Sequence, residues 1–171
     1  MDLARKYQPI STRLLQRLKT ITPSVDRSLS YYPCVVTLRD GTTQDRVYLV
    51  ERGPYISMWG VFPEDDSGKS QVYVQDVVDI AESPTRMPVR FANSLYMAGE
   101  SCMGGVFYQL VFADGERLSV LTGNAIDFLP GLGGRSPADI DDVIPHEGRL
   151  DPARVPGPDY AWCIYDGVES R

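Results

Sequence analysis

Apolar positions near the N-terminus recur at the spacing of an α-helix. Residues 11–21 place Leu14, Leu18 and Ile21 on one face, behind a serine and a threonine of which either can cap the first turn. Pro23 follows and ends this helix, because proline cannot continue the hydrogen-bonded backbone. The pattern therefore predicts a short amphipathic helix that lies across a sheet.

Most of the later apolar runs are short and end in turn residues, which is typical of β-strands. A hairpin is predicted over residues 34–50, with Asp40-Gly41-Thr42 as its turn. Further strands are predicted over residues 56–62, 71–74, 106–112, 118–122, 124–129 and 160–165. Two more helices are predicted, one over residues 89–98 and a shorter one that begins at Ser136-Pro137.

Two stretches of the chain, residues 34–80 and 108–146, carry the same succession of features. Each has an apolar run that ends in Asp-Gly, then an apolar pair before a proline, then an aspartate close before two branched aliphatic residues. We interpret this as a duplication of one small β unit, although hairpin turns that arose independently would mimic part of it. The first copy has the longer interval between its Gly and its Pro, so it is expected to carry an extra excursion between its strands.

The predicted fold class is α+β and mainly antiparallel β, with two related small β units that are either barrel-like or packed sheets. A leading N-terminal helix and one or two short helices complete the prediction. A chain of 171 residues suits a single compact domain. Within residues 1–171 we expect an N-terminal helical segment, a first β unit, a second β unit, and a Pro-rich linker with a closing strand, over residues 1–30, 31–83, 84–150 and 151–171 respectively.

Charge and cysteine content narrow the classes of partner. The net charge of −6 argues against a nucleic-acid partner, because its phosphates require a basic protein surface. The basic residues between Arg5 and Lys19 are interpreted as the solvated face of a helix. No apolar run has signal-peptide character or membrane-spanning length, so no membrane partner is expected. The chain has three cysteines and no C-x-x-C spacing, so neither a zinc site nor a redox site is predicted. An odd number of cysteines fits a protein of the reducing cytoplasm. No cofactor is expected.

Catalytic chemistry has one candidate pair. His146 is the only histidine in the chain, and Cys102 lies in a glycine-flanked turn, Gly99-Glu100-Ser101-Cys102-Met103-Gly104-Gly105. A thiol becomes a nucleophile when a base or a positive charge lies close to it, so Cys102 with His146 would define a cysteine-dependent hydrolase or transferase. The alternative interpretation of the same residues is a simple turn that precedes the strand over residues 106–112.

Acidic residues suggest a second kind of site. Asp139 and Asp142 share a face at i, i+3 spacing if the segment that begins at Ser136 is helical, and carboxylate oxygens are the ligands that calcium and magnesium prefer. The spacing lacks the glycine-containing loop of an EF-hand. Capping of the helix and a solvated surface are the alternative interpretation.

Aromatic residues provide the candidate partner-binding site. Tyr55, Met58 and Trp59 lie in the extra length of the first copy, so the shared fold does not require them. Tyrosine and tryptophan often anchor protein interfaces, because they combine an apolar ring with a polar edge. Burial in the core is the alternative interpretation.

These features support three hypotheses about function. The first is a non-catalytic binding or assembly protein that binds another protein or itself; an acidic immunity- or antitoxin-like protein of bacteria is one concrete version. The second is the hydrolase or transferase that uses Cys102 and His146. The third is a divalent-metal-dependent binding protein that uses Asp139 and Asp142.

Overall fold

The structure is a computed structural model, and it describes residues 7–170. The chain forms two compact units, which consist of residues 7–84 with 160–170 and of residues 85–159. The expectation that residues 1–171 form a single compact domain stays a prediction. Arg5 and Lys6, two of the basic residues assigned to a solvated face, lie outside the described residues.

The first unit is built on one mixed sheet. Its helices are α1 (Thr12–Leu18) and α2 (Arg52–Trp59), and its strands are β1 (Ser24–Asp26), β2 (Leu29–Leu38), β3 (Thr43–Glu51), β4 (Ser70–Gln71), β5 (Val77–Glu82) and β10 (Ala161–Tyr165). Strand β2 is antiparallel to β3, β5 and β1, while β10 returns parallel to β3 and to β4. Helix α1 packs against β5.

The second unit has a simpler mixed sheet of four strands in the order β8-β6-β7-β9. Its elements are α3 (Val89–Ala98), β6 (Val106–Phe112), β7 (Arg117–Thr122), β8 (Ile140–Pro145) and β9 (Val155–Pro156). Strand β6 is antiparallel to β7 and β8, β9 is parallel to β7, and α3 packs against β8. The predicted α+β class with two related units is confirmed, and both sheets are open rather than closed into barrels.

The two units repeat each other in strand register. One residue of β5 is skipped in its pairing with β2, and one residue of β8 is skipped at the corresponding place in its pairing with β6. The pairs on either side of the skipped residue are Thr37–Asp79 and Leu38–Val77 in the first unit, and Val111–Asp142 and Phe112–Ile140 in the second. Two Asp-Gly hairpins that arose independently would not need a bulge at the same position of the neighbouring strand. The shared bulge therefore supports duplication of one unit.

The turn that follows each central strand is also the same. Gly41 and Gly115 adopt φ of 84° and 87°, a left-handed conformation that glycine reaches without strain. The side chain of Asp40 accepts a 2.9 Å hydrogen bond from the backbone N–H two residues later, and Asp114 does the same. In the first unit the backbone N–H of Arg39 donates a 2.9 Å hydrogen bond to the carbonyl of Asp76, in the 3-10 turn that leads into β5. In the second unit Ala113 donates at the same distance to the carbonyl of Asp139, in the 3-10 turn that leads into β8.

A parallel fourth strand completes each sheet at an equivalent register. Val47 of β3 faces Cys34 on one side and Ala161 of β10 on the other. Val120 of β7 is flanked in the same way, by Tyr108 of β6 and Val155 of β9. The two units therefore share helix, hairpin, bulged third strand and parallel fourth strand.

The first unit differs by what is inserted into this shared plan. Strand β3 contains one extra residue relative to β7, and Arg46 adopts a φ of 60° there. The larger difference is the connection to the next 3-10 turn: residues 52–73 contain α2, a 3-10 turn over Pro63–Asp65 and β4, whereas the second unit makes the same connection with the shorter segment of residues 123–136. This is the excursion that the longer Gly-to-Pro interval predicted.

Both faces of the first sheet are covered. One face forms an aliphatic core with α1, and its largest contributors include Leu14, Leu18, Val36, Leu49 and Ile80. On the other face, Tyr48 and Trp162 are register neighbours and are fully buried, and their ring centroids are 5.1 Å apart. Helix α2 lies over this aromatic face, because Tyr55 places its ring centroid 5.0 Å from that of Trp162.

Four predicted elements differ from the structure. The strand predicted over residues 71–74 is reduced to β4, Ser70–Gln71, because Val74 begins a 3-10 turn. Residues 56–62 do not form a strand but fall largely in α2, which tolerates Pro54 in its first turn and ends at Gly60, whose φ is 73°. Residues 124–129 form no strand beyond a single bridge of Phe128 with Arg86. The helix expected from Ser136 is one 3-10 turn that leads into β8.

Candidate functional site

The predicted catalytic residues do not form the predicted pair. His146 follows β8, and its Nδ1 lies 2.8 Å from Oγ of Ser101 rather than against the thiol of Cys102. Its Nε2 lies 3.2 Å from the carbonyl oxygen of Ala98 at the end of α3. Cys102 is a partly exposed free cysteine next in the chain to Ser101.

The Ser101–His146 contact joins segments that are 45 positions apart. The Ser101 hydroxyl also accepts a 2.9 Å hydrogen bond from the backbone N–H of Phe107, and His146 donates its own backbone N–H to the Phe107 carbonyl at 2.8 Å. An acyl-transfer site would need a free donor for the oxyanion, but the Cys102 N–H is bonded to the Gly105 carbonyl. The arrangement therefore fits a structural role, in which these hydrogen bonds hold the loop before β6 against the end of β8.

Asp139 and Asp142 do not share a helical face, because Asp142 lies in strand β8. Asp139 accepts a 2.8 Å hydrogen bond from the backbone N–H of Ser136 and so caps the 3-10 turn. Asp142 accepts a bond from the backbone N–H of Val143. Among residues 7–170, no group of three or more Cys, His, Asp or Glu side chains has the arrangement of a metal site.

One acidic residue near this region is part of a core. Asp127 is fully buried in the second unit, and the hydroxyl of Tyr96 in α3 donates a 2.5 Å hydrogen bond to its carboxylate. The same hydroxyl accepts a bond from the backbone N–H of Ile126. Asp127 thus stabilises the irregular segment between β7 and β8.

The three predicted partner-binding residues differ in exposure. Tyr55 is fully buried, so it is a core residue and not an exposed anchor. Its ring is stacked on Trp59 and on Phe62, each at 6.2 Å between centroids, and meets Trp162 edge-on. Met58 and Trp59 remain partly exposed at the end of α2.

Trp59 extends the aromatic core to the surface of the first unit. Its ring centroid lies 5.1 Å from that of buried Trp162, in an edge-to-face arrangement. The ammonium of Lys69 lies 4.6 Å from the Trp59 ring centroid, within the range of a cation–π interaction. The same ammonium is 2.7 Å from a carboxylate oxygen of Asp66. The indole is therefore held between an aromatic core and a positive charge.

Further acidic side chains follow α2 in the chain. Glu64 and Asp65 are exposed in the 3-10 turn that follows α2, and the hydroxyl of Tyr7 donates a 2.5 Å hydrogen bond to Glu64. Burial raises the pKa of the Tyr55 hydroxyl above its usual range, and the nearby charges, including Asp66 and Glu64, raise it further. The inserted segment thus combines a partly exposed aromatic ring with local negative charge.

Sequence reasoning did not identify Lys69 and Asp66 as part of this surface. The stretch from Glu64 to Lys69 has the composition of a solvated loop, and nothing in the order of its residues places an ammonium on the Trp59 ring. The one available signal was that this loop and Trp59 both belong to the extra length of the first copy.

Comparison with known proteins adds no family or neighbour, since no protein-family model, no curated protein and no solved structure matches the chain. Within residues 7–170, none of the helices has the length and apolar character that crossing a bilayer requires.

Proposed function

We propose that the chain is a non-catalytic binding or assembly protein whose partner is another protein, and that residues 52–73 form the contact surface. One observation carries this proposal: Trp59 is partly exposed on the connection of residues 52–73, which is longer than the equivalent connection of residues 123–136 in the second unit. Insertions on a rigid scaffold commonly carry binding residues, and tryptophan is enriched among the residues that dominate interface energies.

The electrostatics of the chain agree with this assignment. A net charge of −6 and the exposed carboxylates of residues 64 and 65, which follow α2, would accelerate encounter with a basic protein surface. An immunity- or antitoxin-like protein, which neutralises a basic partner, is the concrete version that we favour. The three free cysteines agree with a reducing compartment such as the cytoplasm.

The enzymatic alternative has less support. His146 is bonded to Ser101 and faces a backbone carbonyl through its other ring nitrogen, so both ring nitrogens have partners other than the thiol of Cys102 that the enzymatic hypothesis requires. The metal-dependent alternative lacks converging ligands at Asp139 and Asp142, whose carboxylates accept local backbone hydrogen bonds.

The test begins with capture of partners on the immobilised full chain from a lysate of its source cells, followed by identification by mass spectrometry. Binding of the purified partner is then measured by calorimetry for the native chain, Trp59→Ala and Met97→Ala. Met97 is 87% exposed in the second unit and serves as a matched apolar control. We expect Trp59→Ala to weaken binding at least about tenfold, as a hot-spot residue does, and Met97→Ala to leave it unchanged.

Stability must be measured beside affinity, because Trp59 contacts the aromatic core and its truncation is expected to cost about 1–3 kcal/mol. Met58→Asp is the second variant, since it places a charge on the partly exposed end of α2 without removing an aromatic contact. Equal affinities of the native chain, Trp59→Ala and Met58→Asp would refute the proposal.

A further inference from the structure

The position of Lys69 indicates which chemistry the Trp59 surface accepts. We propose that the partner presents a basic segment, and that one of its arginine or lysine side chains replaces Lys69 on the Trp59 ring and the Asp66 carboxylate. This inference rests on the proposed function and names the class of partner for the same surface.

Lys69 already shows that a cation fits this place. Its ammonium lies 4.6 Å from the Trp59 ring centroid and 2.7 Å from Asp66, so it uses the aromatic face and the carboxylate together. Tryptophan is the best of the aromatic residues for a cation–π interaction. The pair formed by Trp59 and Asp66 is therefore a complete cation-binding position, which Lys69 fills from within the chain.

The internal ion pair is partly exposed to solvent. The Lys69 side chain is 18% exposed and that of Asp66 is 37% exposed, so water and salt screen their ion pair. An arginine of a partner would have two advantages over Lys69, because its planar guanidinium stacks on an indole and can form two hydrogen bonds to one carboxylate. An arginine in place of Lys69 would therefore stack on the Trp59 indole and could form two hydrogen bonds to the Asp66 carboxylate.

The surroundings favour a basic partner over an acidic one. Glu64 and Asp65, which precede Asp66 in the chain, are exposed, and the charges of Glu64 and Asp66 both act on the Tyr55 hydroxyl, which stays protonated at neutral pH and so adds no charge. A basic segment gains from these carboxylates at every step of its approach, whereas an acidic segment is repelled.

A similar arrangement in the second unit supplies the matched control. The guanidinium of Arg135 lies 4.5 Å from the Phe112 ring centroid and 2.9 Å from Asp114. That position is already filled by arginine, on a ring that binds cations less strongly than tryptophan. An added arginine has no advantage there, so removal of Arg135 should not create a comparable peptide-binding site.

The experiment uses the full chain and a short peptide of alternating arginine and leucine. Binding is followed by the indole N–H signals of Trp59 and Trp162 in ¹H–¹⁵N NMR spectra, which are assigned with Trp59→Phe. We expect the Trp59 signal to move and the signal of buried Trp162 to move little. Lys69→Met, which keeps an apolar stem but removes the charge, should raise affinity about threefold to tenfold. Arg135→Met should change it less than twofold.

Two variants remove the position itself. Trp59→Leu and Asp66→Asn should each weaken peptide binding, and Asp66→Asn keeps the result interpretable if Trp59→Leu fails to fold. The inference is overturned if the peptide leaves the Trp59 signal unmoved. It is also overturned if a peptide with citrulline in place of arginine binds equally well, or if Lys69→Met weakens binding.

The two proposals fail separately. A captured protein that depends on Trp59, but whose affinity is insensitive to salt and unchanged by Lys69→Met, would overturn the basic-partner inference and leave the proposed function standing. An arginine peptide that binds as expected, with no protein captured through Trp59, would refute the proposed function and support the cation-binding position.

Discussion

Replacement of Gly157 by alanine tests how closely the fourth strand of the second unit approaches its sheet. A Cβ atom at this position would lie 2.4 Å from Oγ1 and 2.7 Å from Cβ of Thr122 in β7, where nonbonded atoms cannot come so close. The backbone cannot simply move away, since the Gly157 N–H donates a 2.7 Å hydrogen bond to the Leu121 carbonyl. Gly157→Ala should therefore force the strand and the threonine apart.

Gly157→Ala is expected to lower the free energy of unfolding by about 1–3 kcal/mol, the usual effect of overpacking. For a chain of this length, 1 kcal/mol corresponds to about 2–4 °C in Tm, so the melting temperature should fall by roughly 2–12 °C. Gly131→Ala is the control, because its Cβ would meet no heavy atom within 4 Å and its φ lies outside the left-handed region. It should leave stability unchanged or raise it by up to about 1 kcal/mol through the unfolded chain.

Thermal melts followed by circular dichroism compare the native chain, the single variants Gly157→Ala, Gly131→Ala and Thr122→Ala, and Gly157→Ala combined with Thr122→Ala. Loss of the Thr122 hydroxyl relieves the closest contact, so the double variant should recover at least about 0.5 kcal/mol relative to additivity. A melt of Gly157→Ala that coincides with that of the native chain would show that β9 does not lie this close to β7. The correspondence between the fourth strands of the two units would then be lost.

Three further predictions follow from the buried and charged groups. Tyr96→Phe should destabilise the chain by about 1–3 kcal/mol in urea unfolding, because the carboxyl group of buried Asp127 loses its hydrogen bond from the Tyr96 hydroxyl. Iodoacetamide at neutral pH should modify Cys102 alone in the folded chain, since the other two cysteines are buried; modification of all three would contradict the packing. The hydrogen bond from Arg17 lowers the pKa of Asp79, so this stabilisation should be present above about pH 4 and lost as pH falls through the lower, folded-state pKa. Asp79→Asn should accordingly cost less than about 1 kcal/mol at pH 7 and nothing in acid.

Elements whose signal is local could be predicted from the sequence. The helix over residues 89–98 and the strand over residues 106–112 have the predicted bounds, because each has a consistent apolar period between clear turn residues. Helix α2 was missed because Gly53-Pro54 has the composition of a chain break. In the structure Pro54 lies in the first helical turn, where its missing N–H would have no partner within the helix.

The candidate sites depend on contacts that sequence order does not encode. Cys102 was chosen because thiols react, whereas the fold brings His146 to its neighbour Ser101 across 45 positions. Lys69 reaches Trp59 only because the chain turns back after α2, and Gly68 adopts a φ of 89° within that turn. Residue type predicted which chemistry was available, and the fold decided which groups meet.

Duplication offers a way to separate what folding requires from what it does not. Both units share a helix, a hairpin, a bulged strand, a parallel fourth strand, and a connection before the 3-10 turn that supplies buried residues, such as Phe62 in the first unit and Phe128 in the second. The extra length of residues 52–73 over residues 123–136 has no counterpart in the second unit, although Tyr55 in that segment does cover the aromatic face. Trp59 is the residue that this argument isolates, because it extends the buried aromatic face to a position where a cation and a carboxylate already meet it.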